Sequence, residues 1–589
     1  MKNSGKIINK IFRTSVISII AAAVAAMLGI VIDGIVIGKM LGPDCMAAYG
    51  LVTPLVNMST IFSGVFATGT QVICAQYLGA GDAKSARRTF SMCIVATVII
   101  SIVLLAVLLI FRNEVAVFLG ASGASAHLLP YVSDYLLGMV FSIPPVLFLF
   151  EFNALMRLDG DANRVIAAVG VMTVLDIAGD LLNALWIHGG MLGMGLATSI
   201  SYFAALVIML LHFKKKDIIF RFSVKGLKLR DLRDILITGS SSAVGSGSSM
   251  LRNFILNHIM VATILSSTAV GALGVLNTVL DFTTTTLIGV GMTCAMIAGM
   301  ILGELDRTGA EHLVKVTFRW AFFIGLGLGA VVFVFANVIA SAFGNSEGAE
   351  MVALAARGLR IYSFSIILYG INNAFVNYTQ GMRRMGYSNV YCFLQNFAFI
   401  VLPALVLRRF MDTDAVWFAY PTGEALTFLA IILLAAFRKR GIPFRVKDFL
   451  YLKEPFGAPE EEIFEVSVSS IDEIIPASIA AGKFCEEKNA TEKQQMLLPL
   501  FVEELGNNVA KYGFEKEKDY SLDIRLVHLE EGWSLRFRDN CKAFDPLSWI
   551  ELHESDDPTA NIGIRLVCGM AKDVSYVSTL DLNILTLRI

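Results

Sequence analysis

The sequence predicts a polytopic all-α membrane protein, twelve transmembrane helices in two six-helix lobes, plus a cytoplasmic α/β sandwich domain. Three observations carry that prediction. Of 589 residues, 56% are hydrophobic and 16% charged, a balance outside the range of ordinary soluble domains. The first part holds about a dozen apolar runs near the ~20-residue length that a bilayer core demands. From Pro459 onward the composition turns acidic, with a charge of about −12 against about +11 for the rest, so the net −1 conceals two unlike parts. An acidic tail of this kind excludes a nucleic-acid partner, and membrane lipid is expected instead. The 8 cysteines, at 45, 74, 93, 294, 392, 485, 541 and 568, stand singly with no CxxC, so a secreted disulfide scaffold and a zinc cluster are excluded as well.

The apolar runs lie near 12–37, 47–77, 89–111, 129–155, 164–186 and 192–213, then near 234–262, 270–301, 316–342, 352–380, 388–407 and 414–437. The first follows MKNSGKIINKIFR and continues through Ile35, too far for a cleaved signal peptide, and is read as a retained span. With the N-terminus inside, the inner segments hold about 25 basic residues, whereas the outer loops hold Lys39, Arg112, Arg408 and Arg409. That bias places both termini, and the acidic domain, in the cytoplasm of a multi-pass cell-membrane protein.

The membrane part repeats itself. Ala48 to Arg88 resembles Ala272 to Lys315 at an offset of about 224, with Gly50 on Gly274, Gly79 on Gly303 and Asp82 on Asp306. An even number of spans per repeat makes the repeats parallel, giving two lobes about an axis along the membrane normal and a cleft between them. The expected units are an N-lobe (1–213, helices 1–6), an interlobe loop (214–233), a C-lobe (234–440, helices 7–12), a linker (441–458) and a C-terminal domain (459–589).

An acid at mid-membrane costs at least about 2.5 to 3.5 kcal/mol, so each one needs a reason. Asp33 sits deep in the first span. Asp176 and Asp180 lie in the fifth, four apart and hence on one helix face. Facing carboxylates repel, and a proton or metal cation relieves the repulsion, which makes these three an ion or proton site; the alternative is interhelical hydrogen bonding. Asp134, Glu151, Asp281 and Glu424 lie closer to span ends or among polar neighbours and rank lower. Thr283 to Thr286 with Asn372, Asn373, Asn377 and Gln380 form a polar stripe, as suited to helix contacts as to substrate.

The segments VIDGIVIGKMLGPDCMAAYGLVTPL, NALMRLDGDANR and DLLNALWIHGGMLGMGLATSIS resemble N-lobe signatures of the multidrug and toxic compound extrusion (MATE) family, over about residues 10–440. The resemblance implies a twelve-helix antiporter that expels small amphiphilic or cationic substrates using a proton or sodium gradient. By motif position it assigns the coupling site to Asp33, Asn153, Asp176, Asp180 and Thr198. Two features depart from the family pattern: Asp176 stands where Asn is usual, and the first half of helix one has Ser18 rather than a proline.

In the acidic part, Ile463 onward opens as a strand. Thr491 precedes Gln494 by three, a capping-box signal, and Leu498, Phe501, Val502, Leu505 and Val509 keep helical spacing, so a helix is expected across 492–512 despite Pro499. SLDIRLVHL and WSLRFRD alternate like antiparallel strands, with Trp533, Leu535 and Phe537 on one face and Asp539 at the end. FVEELGNNVAKYG, RDNCKAFDP and NIGIRLVCGMAKDVSY resemble, in order and spacing, the nucleotide boxes of the histidine-kinase-like (GHKL) ATPase superfamily, in the style of anti-sigma-factor serine kinases. The resemblance implies ATP with Mg²⁺, held by Asn508 as metal ligand, Glu504 as catalytic base, Asp539 as adenine reader and Gly563 beside phosphate. Cys541 and Ala543 stand where that family has glycines. No GxxxxGK[ST] loop exists, so nucleotide is expected to regulate transport, with a cytoplasmic regulatory protein as a further partner, rather than to power it. The expectation is thus a gradient-driven efflux antiporter with a regulatory domain. The alternatives are a membrane-anchored serine-kinase-like signalling protein and a lipid-linked substrate flippase, the latter disfavoured by the scarcity of intramembrane basic residues beyond Arg252 and Arg360.

Overall fold

The computed structural model describes residues 5–215, 218–264, 267–343, 349–411, 414–514, 520–529, 532–552 and 562–589. Lys216 and Asp217 of the interlobe loop and Asn561 of the NIGIRL segment lie outside the described residues. The helical rods are α1 (Gly5–Val36), α2 (Pro43–Gly79), α3 (Ala83–Ile110), α4 (Ser125–Leu158), α5 (Ala162–Leu182), α6 (Gly190–Leu210), α7 (Leu229–Ile264), α8 (Ser267–Glu304), α9 (Arg307–Val334), α10 (Ala349–Gly381), α11 (Met385–Leu407) and α12 (Asp414–Lys439).

Among the described residues, eleven of these rods are long and apolar enough to cross a membrane. The twelfth, α7, is as long, but its stretch GSSSAVGSGSSM is too polar to meet the same measure. The interlobe loop is shorter than the expected 214–233, because α7 begins at Leu229. The first turns of α7 supply Asp231, which Arg88 of the N-lobe engages at 2.6 Å.

The repeat is visible as reciprocal contact. A Cβ on Gly79 would collide with the Met300 carbonyl, and one on Gly303 with the Gln76 carbonyl, the same pair of positions exchanged at the 224-residue offset. Only glycine permits α2 and α8 to approach so closely. Gly69 against Ile235 and Gly239 against Val65 do the same for α2 and α7.

These seams all lie toward one end of the bundle, the end that carries the basic loops. There a single apolar core runs through both lobes, joining Phe12, Cys74, Leu155 and Phe220 to Ile297, Leu313 and Phe375. Toward the far end the cores separate, one confined to residues of the N-lobe and one to residues of the C-lobe. The bundle is therefore closed at the basic end and parted at the other.

The C-terminal domain contains β1 (Ile463–Val468), α13 (Ile474–Glu487), α14 (Glu492–Gly513), β2 (Leu522–Leu529), β3 (Gly532–Asp539), α15 (Pro546–Leu552), α16 (Ile562–Met570), β4 (Asp573–Thr579) and β5 (Leu582–Arg588). The capping box forms as the sequence expects: Gln494 N donates to Thr491 Oγ1 at 3.4 Å and Thr491 N to Gln494 Oε1 at 3.0 Å. Pro499 sits inside α14 without ending it, its ring facing Gly482 of α13, where the absent Cβ leaves room. Of the expected α/β sandwich, the structure shows a five-stranded antiparallel sheet in the order β1-β2-β3-β5-β4 with α13 and α14 sharing the core of one face. Leu522, Ile524, Leu526, Leu535 and Phe537 fill that face, as the alternation requires. The opposite face carries Asp523, Arg525, Arg536 and Arg538, and it does not meet solvent: it rests on the basic end of the bundle.

Candidate functional site

Within the N-lobe, α1 brings Asp33 against α5, where Asp176 and Asp180 occupy one face. All three are buried, at 9%, 6% and 1% exposure. Gly29, one turn before Asp33, faces Asp176 and leaves space beside its carboxylate. Asp176 is served by α6: Ser201 Oγ donates to its Oδ1 at 3.1 Å, and the Thr198 hydroxyl is within hydrogen-bonding reach. Asp33 and Asp180 have a different neighbour, each other, with their carboxyl groups near enough to act on one another electrostatically. Neither oxygen of Asp180 nor Oδ1 of Asp33 has a hydrogen-bond partner. Two ionised carboxylates at such close quarters repel and have no donor to offer each other, so a proton or a cation would relieve the pair. Tyr49, Tyr135 and Tyr202 surround the trio, with the Tyr49 and Tyr135 rings edge to face at 5.7 Å.

Four of the five residues assigned by resemblance thus come together. Asn153 does not join them through a hydrogen bond; its Oδ1 is buried without a partner. Among the described residues, no group of three His, Cys, Asp or Glu side chains is arranged to hold a metal ion.

Two buried acids rank higher in the structure than in the sequence. Glu151 (1% exposed) accepts from Thr97 Oγ1 of α3. Glu424 (3% exposed) accepts from Asn372 Nδ2 at 2.8 Å and Gln395 Nε2 at 3.1 Å, so α10, α11 and α12 meet on it. The polar stripe therefore includes helix-to-helix hydrogen bonds, and Thr283 adds another to Tyr362 Oη at 2.6 Å.

In the C-terminal domain, Glu504 and Asn508 lie one turn apart on α14, and the Glu504 carboxylate rests against Gly563 so closely that a Cβ there would collide with it. Asp539 ends β3 with its Oδ1 accepting from Cys541 N at 2.9 Å and Asn583 Nδ2 at 2.8 Å. Burial pushes its pKa above the ordinary carboxylate value, against the pull of those two donors. Cys541 packs against Gly513 at the C-terminal end of α14. No hydrogen bond joins Asn508 to Glu504, Asp539 or Gly563, so the four assigned residues flank one region without forming a bonded network.

The arginines of the sheet's outer face were not singled out from the sequence. Arg525 pairs with Asp306, Arg536 with Glu304 at 2.6 Å and Arg538 with Glu304 at 3.3 Å and Asp523 at 3.3 Å. The signal was present as alternation: three arginines and Asp523 share the face opposite Leu535 and Phe537. What it lacked was a partner, which lies over 200 residues away.

The MatE family model matches residues 18–182 and 244–403. Among similar proteins, the probable multidrug resistance protein YoeA of Bacillus subtilis (strain 168) is 22% identical over 428 residues, covering 70% of this chain and 90% of that one. The multidrug export protein MepA of Staphylococcus haemolyticus (strain JCSC1435) is 22% identical over 413 residues, covering 69% and 88%. Among solved structures, the outward-facing conformation of a multidrug resistance MATE family transporter of the MOP superfamily matches with a TM-score of 0.68 at 21% identity, over 73% of this chain and 95% of that one. A MOP superfamily transporter from Pyrococcus furiosus, described as having a binding pocket of reverse polarity, matches with the same score, identity and coverage.

Proposed function

The chain belongs to the MatE family, and on that footing we propose that it is an efflux antiporter for small amphiphilic or cationic compounds, driven by an ion gradient through Asp33 and Asp180. The observation that carries this reading is the juxtaposition of those two buried carboxyl groups in the N-lobe interior, with no hydrogen-bond partner on either Asp180 oxygen. A single proton relieves that pair, and its departure leaves two charges that must separate or find a cation, which makes loading of the site a switch between two arrangements of α1 and α5. We take the proton as the coupling ion. The relatives' names, multidrug resistance and multidrug export, support the substrate class.

The topology that goes with this reading has α7 as the twelfth span and the basic end in the cytoplasm, as the loop charges favour. The C-terminal domain is its regulator. Its residues suit a magnesium nucleotide: Asn508 offers an amide oxygen and Glu504 a carboxylate to a hard cation, beside a glycine at the start of α16. When bound, the nucleotide would supply only occupancy, and calorimetry of the full chain should show ATP binding that needs Mg²⁺ and is lost in Asn508→Ala. No binding at millimolar ATP refutes it.

The transport reading is tested by accumulation of a fluorescent organic cation in cells expressing the protein, with imposed proton or sodium gradients. Asp33→Asn and Asp180→Asn should each raise accumulation to the level of cells without the protein while leaving membrane insertion intact, because removing an intramembrane charge lowers the insertion cost. Undiminished export by both variants contradicts it.

A further inference from the structure

The outer face of the C-terminal sheet touches both lobes, and the two grips differ in kind. On the C-lobe side, Arg525, Arg536 and Arg538 bury themselves against Glu304 and Asp306, the turn between α8 and α9. Removing one partner from such a buried cluster strands its opposite charge, so this grip holds firmly. On the N-lobe side the hairpin between β4 and β5 inserts its tip beneath the end of α4. Thr579 Oγ1 and Leu580 N both donate to the Leu158 carbonyl, at 2.6 and 2.9 Å, and Leu580 is 6% exposed in the core that spans both lobes.

This grip is made of hydrogen bonds and apolar packing rather than ion pairs, and it is strained. Leu580 and Asp581 adopt φ of 56° and 57°, a turn conformation that glycine and asparagine enter readily and leucine does not. Asp581 also faces Asp161 across Gly160, a like charge; burial, then Asp161, raises its pKa, with Lys10 and Lys215 opposing. Asp161 itself would be raised by burial, but donors from Lys215, His212 and Arg164 hold it down to about 2, so it stays charged.

The sheet spans the seam where the lobes already meet, through Gly79 on Met300 and Gly303 on Gln76. We propose that the C-terminal sheet is a strap that holds the two lobes together at the basic end, anchored permanently on the C-lobe turn and released at the Leu158 hairpin contact when that end opens. The strap rests on the reading of the chain as an alternating transporter. It biases the equilibrium because it touches both lobes in the closed state and only one after release, and only such a difference shifts populations. Whatever loosens the hairpin raises the population of the basic-end-open state.

Pulsed electron–electron distance measurements on the full chain in nanodiscs test this. One spin-label pair, Lys84→Cys with Arg440→Cys, reports the basic end; another, His188→Cys with Arg409→Cys, reports the far end. Both are made with Cys541 and Cys568 changed to serine. The otherwise unmodified protein should give one short basic-end distance. Thr579→Val with Leu580→Ala, which removes the buried side chain and keeps the strained turn, should add a longer basic-end population and a shorter far-end one, changing their ratio by about five- to 150-fold, the usual span of coupling between sites. Glu304→Arg should do the same, and adding Arg536→Glu should restore the short distance, which separates strap release from misfolding. Unchanged distances in the hairpin variant and in Glu304→Arg overturn the strap. Export by the parent protein with unmoved distances sinks the strap alone. Moved distances without any export sink the transport reading alone.

Discussion

The turn between α2 and α3 and the turn between α8 and α9 are the same piece of sequence used twice. Each has, in the last turn of its first helix, a glycine, Gly79 or Gly303, that lies against the other lobe's backbone. Each starts the next helix with an aspartate cap: Asp82 Oδ1 accepts from Ser85 N at 2.9 Å and Asp306 Oδ1 from Gly309 N at 2.9 Å. Both turns lie against the C-terminal sheet, Gly81 of the first beside Ser575 of β4, but the contacts differ in kind. Asp82 is exposed, whereas Asp306 is 1% exposed beneath Arg525 and Arg536 of the sheet. One local code thus serves two tertiary roles, the second because arginines of the attached sheet lie over its carboxylate.

The largest expected effect breaks that difference. Asp306→Asn keeps a capping side chain but leaves buried arginines short of a counter-charge, and it should cost about 3 to 5 kcal/mol. Thermal unfolding of the purified protein in detergent, followed through tryptophan fluorescence, should register it, while the matching Asp82→Asn should shift the curve little. Next come the paired glycines. Gly79→Ala and Gly303→Ala each force a methyl onto a carbonyl of the opposite lobe, at about 1 to 3 kcal/mol, and they should resemble each other, because the contacts are reciprocal. A cost confined to one of them would show that the repeat symmetry does not extend to packing.

Removing the exposed cap altogether, Asp82→Ala, should cost about 1 kcal/mol, the ordinary worth of an N-cap. The smallest effect concerns pH. Burial would raise the Asp306 carboxyl, but Arg525, Arg536 and Arg538 together hold it far below its ordinary 3.8. A depressed folded-state pKa contributes stability that is present above the ordinary value and lost only as pH falls through the folded one. The part of docking that rests on Asp306, read by limited proteolysis of the linker as the difference between the parent protein and Asp306→Asn, should therefore be flat from about pH 5 to 8, and a difference that vanishes within that window would contradict the arginine grip.

Much of this was legible in the sequence, because the evidence was local. Apolar length marked the rods, the 224-residue offset marked the repeat, Thr491 and Gln494 marked the start of α14, and period-two alternation separated the faces of β2 and β3. What was not legible depended on distant partners. Arg525, Arg536 and Arg538 read as a polar strand face until Glu304 and Asp306 came beneath them. Glu151 and Glu424 ranked low from their positions, although tertiary packing makes them among the most buried acids. In the coupling site, the sequence placed Asp33, Asp176, Asp180 and Thr198 together by motif; that Asp33 should meet Asp180 while Ser201 serves Asp176 depends on the crossing of α1, α5 and α6.

The central claim is that a proton moving through Asp33 and Asp180 drives export. The most direct test is purified full-length protein in liposomes loaded with a fluorescent organic cation, with a pH gradient imposed at zero sodium gradient and both cation and proton fluxes recorded. The account predicts cation movement accompanied by opposing proton movement, and neither in Asp33→Asn or Asp180→Asn, while both variants still bind the cation. Transport that ignores the pH gradient and follows a sodium gradient, or proton-coupled transport that survives in both variants, would contradict it.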